Sequence, residues 1–332
     1  MDFHKHLAPS SQGAAPFPQG FVLTVQDIGS AASPFAGERV TEVRIDARPV
    51  RLGWMGDIGE VITDLRSHWE LVYYLTRRDI QIRYKQAVMG FGWSLLMPVM
   101  VVVSGLIVQL VLSHGGISKV AVAGTVVKSL PWAFFVGSIQ FATNSLTSNM
   151  NLVSKIYFPR EVLPLSAVLA QAFDASIGAV VIAAVLPFLG AHPGLAILWV
   201  PLILVLLFIF VVGAALFLSC ANLFFRDVKY IVQVVLTFGI FFTPVLFQAQ
   251  MLGPVGARII MLNPIAPLLE GLRLAVVQGH DLTRGLTVVQ NGRAVVEWAP
   301  WYLGYSAAWA VLGLAGALVM FRRLQYLYAE FI

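Results

Sequence analysis

The residues able to do chemistry fall into three groups, none of which is a catalytic set. The first is the basic run RRDIQIRYK at 77–85, with Arg77, Arg78, Arg83 and Lys85 beside Asp79. Guanidinium groups pair bidentately with phosphate, so such a cluster suits a phosphorylated ligand; it suits anionic lipid headgroups equally well. The second is a polar row, Gln140, Asn144, Thr147 and Asn151, spaced four, three and four residues apart. On a helix this spacing gathers the four on one stripe, which Ala133 and Gly137 extend with small residues. A stripe of this kind faces a hydrated pathway or supplies hydrogen bonds between helices. The third is Asp174, the only acid of a long apolar run, with Gln171 one turn before it. With no basic partner in any apolar run, a structural, hydrogen-bonded carboxylate is the expected reading, against a proton relay.

Catalytic motifs are missing. The chain has no G-x-x-x-x-G-K-[ST], no G-x-S-x-G, no H-E-x-x-H and no Cys/His cluster. The one cysteine, Cys220, cannot form an internal bridge. His4 and His6 flank Lys5 and read as part of a solvated tail, not as a metal site. No catalytic residue, metal site or resident cofactor is therefore expected.

The elements that position these groups follow from composition. Of 332 residues, 58% are hydrophobic and 12% charged, and the mean hydropathy is +0.80. Soluble domains carry about 25% charged residues, and half that charge cannot cover soluble surfaces. The expectation is an all-α polytopic membrane protein. Disorder, collagen-like repeats and a disulfide scaffold are excluded. The net charge of +5 points to a cytoplasmic face and not to nucleic-acid binding.

A helix needs about 20 mostly apolar residues to cross a bilayer. Six transmembrane spans are expected, at about 91–112, 130–149, 162–189, 195–224, 228–247 and 301–321. With the N-terminus inside, the short inner segments hold most of the Lys and Arg. The short outer loops then hold only Lys119 and Lys128. Both termini are thus expected in the cytoplasm. Residues 1–64 read as a partly flexible tail with no apolar core of a signal peptide and a possible short strand at 38–49; residues 65–332 form the membrane domain.

Residues 65–88 are expected as an interfacial amphipathic helix, with a soluble amphipathic helix packed on another domain as the competing reading. Leu65, Trp69, Val72, Tyr73, Thr76, Ile80 and Tyr84 share one face, opposite Glu70, Arg78, Gln81 and Lys85. Between the fifth and sixth spans, Pro254, Pro264 and Pro267 break an apolar run at 251–277 into short re-entrant or outer helices. Residues 278–299 read as an external loop. Two inner loops, NLVSKIYFPREVLP (151–164) and NLFFRDVKY (222–230), mix aromatics with charges, as interface hot spots do and as ordinary membrane-surface turns also do.

Five segments occur in an order that resembles the ABC type-2 permeases of polysaccharide exporters. They are RRDIQIRYKQAVMGFGWSLLMP (77–98), NLVSKIYFPREVLPLS (151–166), NLFFRDVKYIV (222–232), FFTPVLF (241–247) and LNPIAPLLEGLR (262–273). FRRLQYLYAEFI (321–332) is similar to the family's basic-then-acidic tail. The likeness covers about residues 65–332 and is nearest to O-antigen, capsule and teichoic acid exporters.

The resemblance implies a transport subunit of the bacterial inner membrane, not an enzyme. Two copies would pair around a channel and bind two cytoplasmic ATPase subunits, which hold the ATP and Mg. The cargo would be a polyprenyl-pyrophosphate-linked glycan. Lys155, Ile156, Tyr157, Phe158, Pro159, Arg160 and Glu161, with Arg226 and Asp227, would couple the chain to the ATPase. Arg77, Arg78, Arg83 and Lys85 would meet the pyrophosphate where substrate is admitted, with membrane lipids as the competing partner. Gln140, Asn144 and Thr147 would line the channel together with Trp132, Phe135, Phe141, Phe238, Phe241 and Phe242, because sugars offer both apolar faces and hydroxyls. Lipid contact or helix packing is the competing role for each aromatic. An ion-coupled secondary transporter and a membrane glycosyltransferase are the alternatives. The first would want paired charges within the membrane, and the sequence displays no such pair.

Overall fold

The computed structural model describes residues 54–85, 92–112, 118–155, 159–191, 194–290 and 292–324. The possible strand at 38–49, the histidines at 4 and 6, and Ile156, Tyr157 and Phe158 lie outside these residues. In chain order the helices are α1 (Trp54–Ser67), α2 (Trp69–Tyr84), α3 (Gly92–Leu112), α4 (Lys119–Ser148), α5 (Met150–Lys155) and α6 (Val162–Val185). They continue with α7 (Trp199–Phe224), α8 (Val228–Gly239), α9 (Gly253–Ile260), α10 (Ala266–Val277) and α11 (Trp301–Leu324). A two-stranded antiparallel hairpin, β1 (Leu286–Gln290) and β2 (Arg293–Trp298), precedes α11.

Among the described residues, four helical segments are long and apolar enough to cross a membrane: Lys119–Ser148, Val162–Leu189, Leu195–Phe224 and Trp301–Leu324. The expected count of six therefore becomes four, with two shorter apolar helices, Leu95–Val111 and Val228–Phe242, at the first and fifth expected positions. The reason at the fifth is local. α8 ends at Gly239, tightens into a 3-10 turn at Ile240–Phe242, and gives way to extended backbone at Thr243 before Pro244. The residue before a proline disfavours helix, so the apolar run outlasts the helix it builds.

Three further expectations change. The second span begins at Lys119, so Lys119 and Lys128 belong to α4 and not to a loop. Ser118 caps it, its side chain accepting a bond from the Ala121 amide. The expected interfacial helix is two helices broken at His68, and α1 reaches back to residue 54, into the stretch read as a tail. The expected external loop contains the hairpin, so the fold is not purely helical.

α4 is the central element, packing on α3, α6, α7 and α10. One core gathers Trp132, Leu207, Leu269 and Trp298 from α4, α7, α10 and β2. A second joins Val61, Val72, Leu163 and Phe321 from α1, α2, α6 and α11. In lipid, helices associate through close contact more than through loss of water, so small residues at crossings matter. A Cβ at Gly213 of α7 would sit 2.8 Å from the Leu314 backbone nitrogen of α11, so only glycine permits that approach.

Candidate functional site

A cavity of about 370 Å³ opens between α2, α3, α4 and α6. Its polar lining is Arg83, Tyr84, Gln140, Gln171 and Asp174; its apolar lining includes Met97, Phe134 and Phe141. α2 delivers Arg83 because Val72 and Leu75 are buried and tie that helix down, while Trp69, Tyr73 and Tyr74 stay exposed. The buried face of α2 thus runs through Val72 and Leu75, rotated from the face expected on aromatic content. The docking partner is α6.

The centre of the site is an ion pair. Arg83 Nη1 lies 2.5 Å from Asp174 Oδ2 and also donates to Gln171 Oε1. The Tyr84 hydroxyl donates to Asp174 Oδ1 at 2.5 Å. The Arg83 guanidinium carbon sits 4.1 Å from the centroid of the Phe141 ring, a cation–π arrangement. Asp174 is hydrogen-bonded as expected, but it does have a basic partner, supplied by the helix preceding the spans. Gly137 faces Gln171 so closely that a Cβ there would collide with the amide. The small-residue end of the polar stripe therefore lets α6 reach the site.

Gln140 is shared with a second, smaller cavity of about 160 Å³ that also involves Asn144, Lys229, Tyr230 and Gln233. Asn144 returns a bond to the Gln140 carbonyl at 3.0 Å. Thr147 bonds the Asn144 carbonyl at 3.1 Å, and its hydroxyl accepts from Asn222 of α7 at 3.4 Å. The polar row thus divides: Gln140 and Asn144 face open space, while Thr147 serves helix packing.

The remaining predicted residues scatter. Arg78 bonds Asp79 at 2.9 Å and Asn149 at 3.3 Å, and Arg77 and Lys85 are exposed. Trp132 is buried against Phe135 and Gly239. Phe135 is half-buried beside Phe210. Phe238, Phe241 and Phe242 are exposed along α8 and its 3-10 extension. Among the expected coupling residues, Lys155 ends α5, Pro159 and Arg160 are half-buried, and Arg226 and Asp227 are exposed. Glu161 is 2% exposed, and burial pushes its carboxyl above the usual range, partly offset by a backbone hydrogen bond and by nearby Arg322 and Arg160. It points inward, toward the end of α11 where Arg322 pairs with Glu60 and Asp64 of α1 at 2.5 and 3.3 Å.

Sequence reasoning missed a second charged cluster. Lys128, Glu270, Arg273 and Glu297 are all buried. Arg273 bonds Glu270 at 2.7 Å through Nε and pairs with Glu297 through Nη2, while Lys128 lies 3.5 Å from Glu270 and bonds the Phe247 carbonyl at 2.8 Å. Two cations and two acids balance. The available signal was Glu270 and Arg273, three apart inside the apolar run LLEGLRLAVV, where charges must find partners. The sequence expectation of no paired charges fails at Lys128, which lies within a span, while the partner of Asp174 comes from α2, outside the spans. Among the described residues, no group of three or more His, Cys, Asp or Glu could hold a metal ion.

A profile of the ABC-2 type transporter family matches residues 70–277. The chain belongs to that family. It is a permease subunit, and the matched segment spans both cavities and the helices that frame them. Two O-antigen export system permease proteins RfbA of Klebsiella pneumoniae are similar to it. One is 30% identical over 64% of this chain and 82% of its own length, the other 28% over 80% and 95%. The RfbA permease of Myxococcus xanthus is 25% identical over 67% of this chain and 85% of its own length.

Proposed function

We propose that this permease is the membrane half of an ATP-driven exporter that carries a lipid-linked polysaccharide of the O-antigen type across the bacterial inner membrane. The observation that carries the proposal is the cavity at the α2–α6 junction. It sets a guanidinium against an aromatic face and lines the path beyond it with amides. Arginine suits a phosphate, the Phe141 ring suits a sugar face, and Gln140 and Asn144 suit hydroxyls. The relatives named as O-antigen permeases support the class of cargo.

In this reading both termini lie in the cytoplasm, and two copies face each other around the channel. Phe238, Phe241 and Phe242 then lie between copies or against lipid. The α5–α6 connection, from Lys155 to Arg160, seats in a groove of a cytoplasmic ATPase subunit. Closure of the ATPase pair on ATP moves these connections as rigid bodies. Glu161, fixed inward near α1 and α11, passes that motion to the helices that frame the cavity. No bond in the cargo is made or broken here.

The test is gentle co-purification of the tagged chain from its native membrane. A stoichiometric subunit carrying a P-loop is expected, and the double change Lys155→Glu with Arg160→Glu should release it. A chain that elutes without any ATPase under conditions that preserve other complexes would remove the central requirement. A secondary transporter or a membrane glycosyltransferase would then take its place.

A further inference from the structure

The cavity beside α2 already contains an anion, and it is the protein's own. Asp174 holds Arg83 from the α6 side, Tyr84 donates to the other carboxylate oxygen, and the pair forms part of the cavity wall. Both acceptors of Arg83, Asp174 and Gln171, are reached from one nitrogen, Nη1. The pair therefore lacks the two-pronged geometry in which guanidinium–carboxylate contacts are strongest. The side chains are 20% and 12% exposed, so water and ligand can reach both.

We propose that Asp174 is an internal stand-in for the ligand's phosphate: its carboxylate holds Arg83 while the cavity is empty, and an incoming phosphate takes the guanidinium from it. A pyrophosphate can engage the guanidinium fork with two oxygens and carries two charges against the carboxylate's one, so exchange favours the ligand. Phe141 keeps the guanidinium plane in place through the exchange, because its contact at 4.1 Å does not depend on Asp174. The ion pair also bridges α2 to α6, so a ligand that captures Arg83 loosens that junction. Occupancy of the site and the seating of α2 are thereby coupled. A cavity lined by arginine alone would bind any anionic headgroup; the carboxylate sets a threshold that a weakly charged anion does not pass. This inference rests on the proposed function, and it adds the residue that competes with the cargo.

The experiment uses the full chain in nanodiscs of zwitterionic lipid, titrated separately with polyprenyl pyrophosphate, inorganic pyrophosphate and phosphatidylglycerol. Asp174→Asn keeps the shape and one of the two acceptor oxygens but removes the competing charge. It should tighten polyprenyl pyrophosphate binding by roughly two- to fivefold, the range expected for removing one part-exposed ion pair. Arg83→Gln should lose binding with or without the Asp174 change. Thermal unfolding of each variant checks that the fold persists, and Asp174→Glu, which retains the charge, should bind like the parent. If Asp174→Asn binds no more tightly while Arg83→Gln loses binding, the stand-in role is wrong and the cavity remains the site of intake. If only phosphatidylglycerol responds to the Asp174 change, the exchange stands and the cargo reading falls. If neither the parent nor any variant binds any of the three, both fall.

Discussion

The chain holds two clusters of opposite charges at two heights on α4, and they are built for different ends. At Lys128 the cluster is sealed: Lys128, Glu270, Arg273 and Glu297 are each at most 1% exposed. About 18 Å farther along the helix, by its rise of about 1.5 Å per residue, Gln140 lines a cavity whose Arg83–Asp174 pair remains reachable. The sealed cluster joins three segments, α4, α10 and β2, and none of its four residues lines either of the two cavities above. The open pair joins two helices at the wall of a void. A charge pair buried without space is fixed, because removing one partner strands the other in low dielectric. A pair beside a void can trade one partner for a ligand. Burial and the adjoining cavity together separate the two roles.

The comparison can be broken first at the sealed end. Lys128→Met leaves two carboxylates against one guanidinium and should cost about 3–5 kcal/mol of stability, read from thermal unfolding in detergent. Adding Glu270→Gln should recover part of that loss, since the pair, and not each residue, is the unit. A loss below about 1 kcal/mol for Lys128→Met would place the sealed cluster in the same class as the open pair. Asp174→Asn at the open end should cost about 1 kcal/mol or less in the same assay. Arg77→Gln, on the exposed side of α2, should stay within about 0.5 kcal/mol and serves as the baseline.

Glu161 sharpens the comparison through pH. It is buried like the sealed cluster, and burial raises its carboxyl above the reference value of 4.5. The ionised form is therefore disfavoured in the folded chain. Stability should be highest where Glu161 is protonated and should fall as pH rises from about 4.5 through the raised value. Glu161→Gln should flatten that fall while leaving the acid end unchanged. A melting profile across pH 4 to 8 that keeps its slope in the variant would assign the slope elsewhere.

The sequence made the helical plan legible. Hydropathy found the apolar runs within a few residues of α6, α7 and α11, because a span must be apolar along its whole length. It did not find that the fifth run stops being helical at Gly239, since hydropathy does not register the Thr243–Pro244 break. The hairpin has its own sequence signature: Asn291 and Gly292 lie between two apolar stretches, the mark of a tight turn, and Gly292 has φ 72°. Of the site, Arg83, Gln140 and Asp174 were each singled out, on three separate grounds. Their meeting was not, because it depends on α2 folding against α6 across 91 residues. Lys128 was lost because counting positive charges assigns a lysine to the nearest loop.

The sealed cluster also sets a condition on biogenesis. Lys128 is synthesised 142 residues before Glu270, and Glu297 follows Arg273 by a further 24. Until α10 and the hairpin arrive, the longest membrane helix holds an ammonium group with no counter-ion at a depth where charge is costly. A nascent chain interrupted before residue 270 keeps that mark, and a finished chain loses it. The salt-bridge cluster is thus a record of completed synthesis, written in the helix on which α3, α6, α7 and α10 pack.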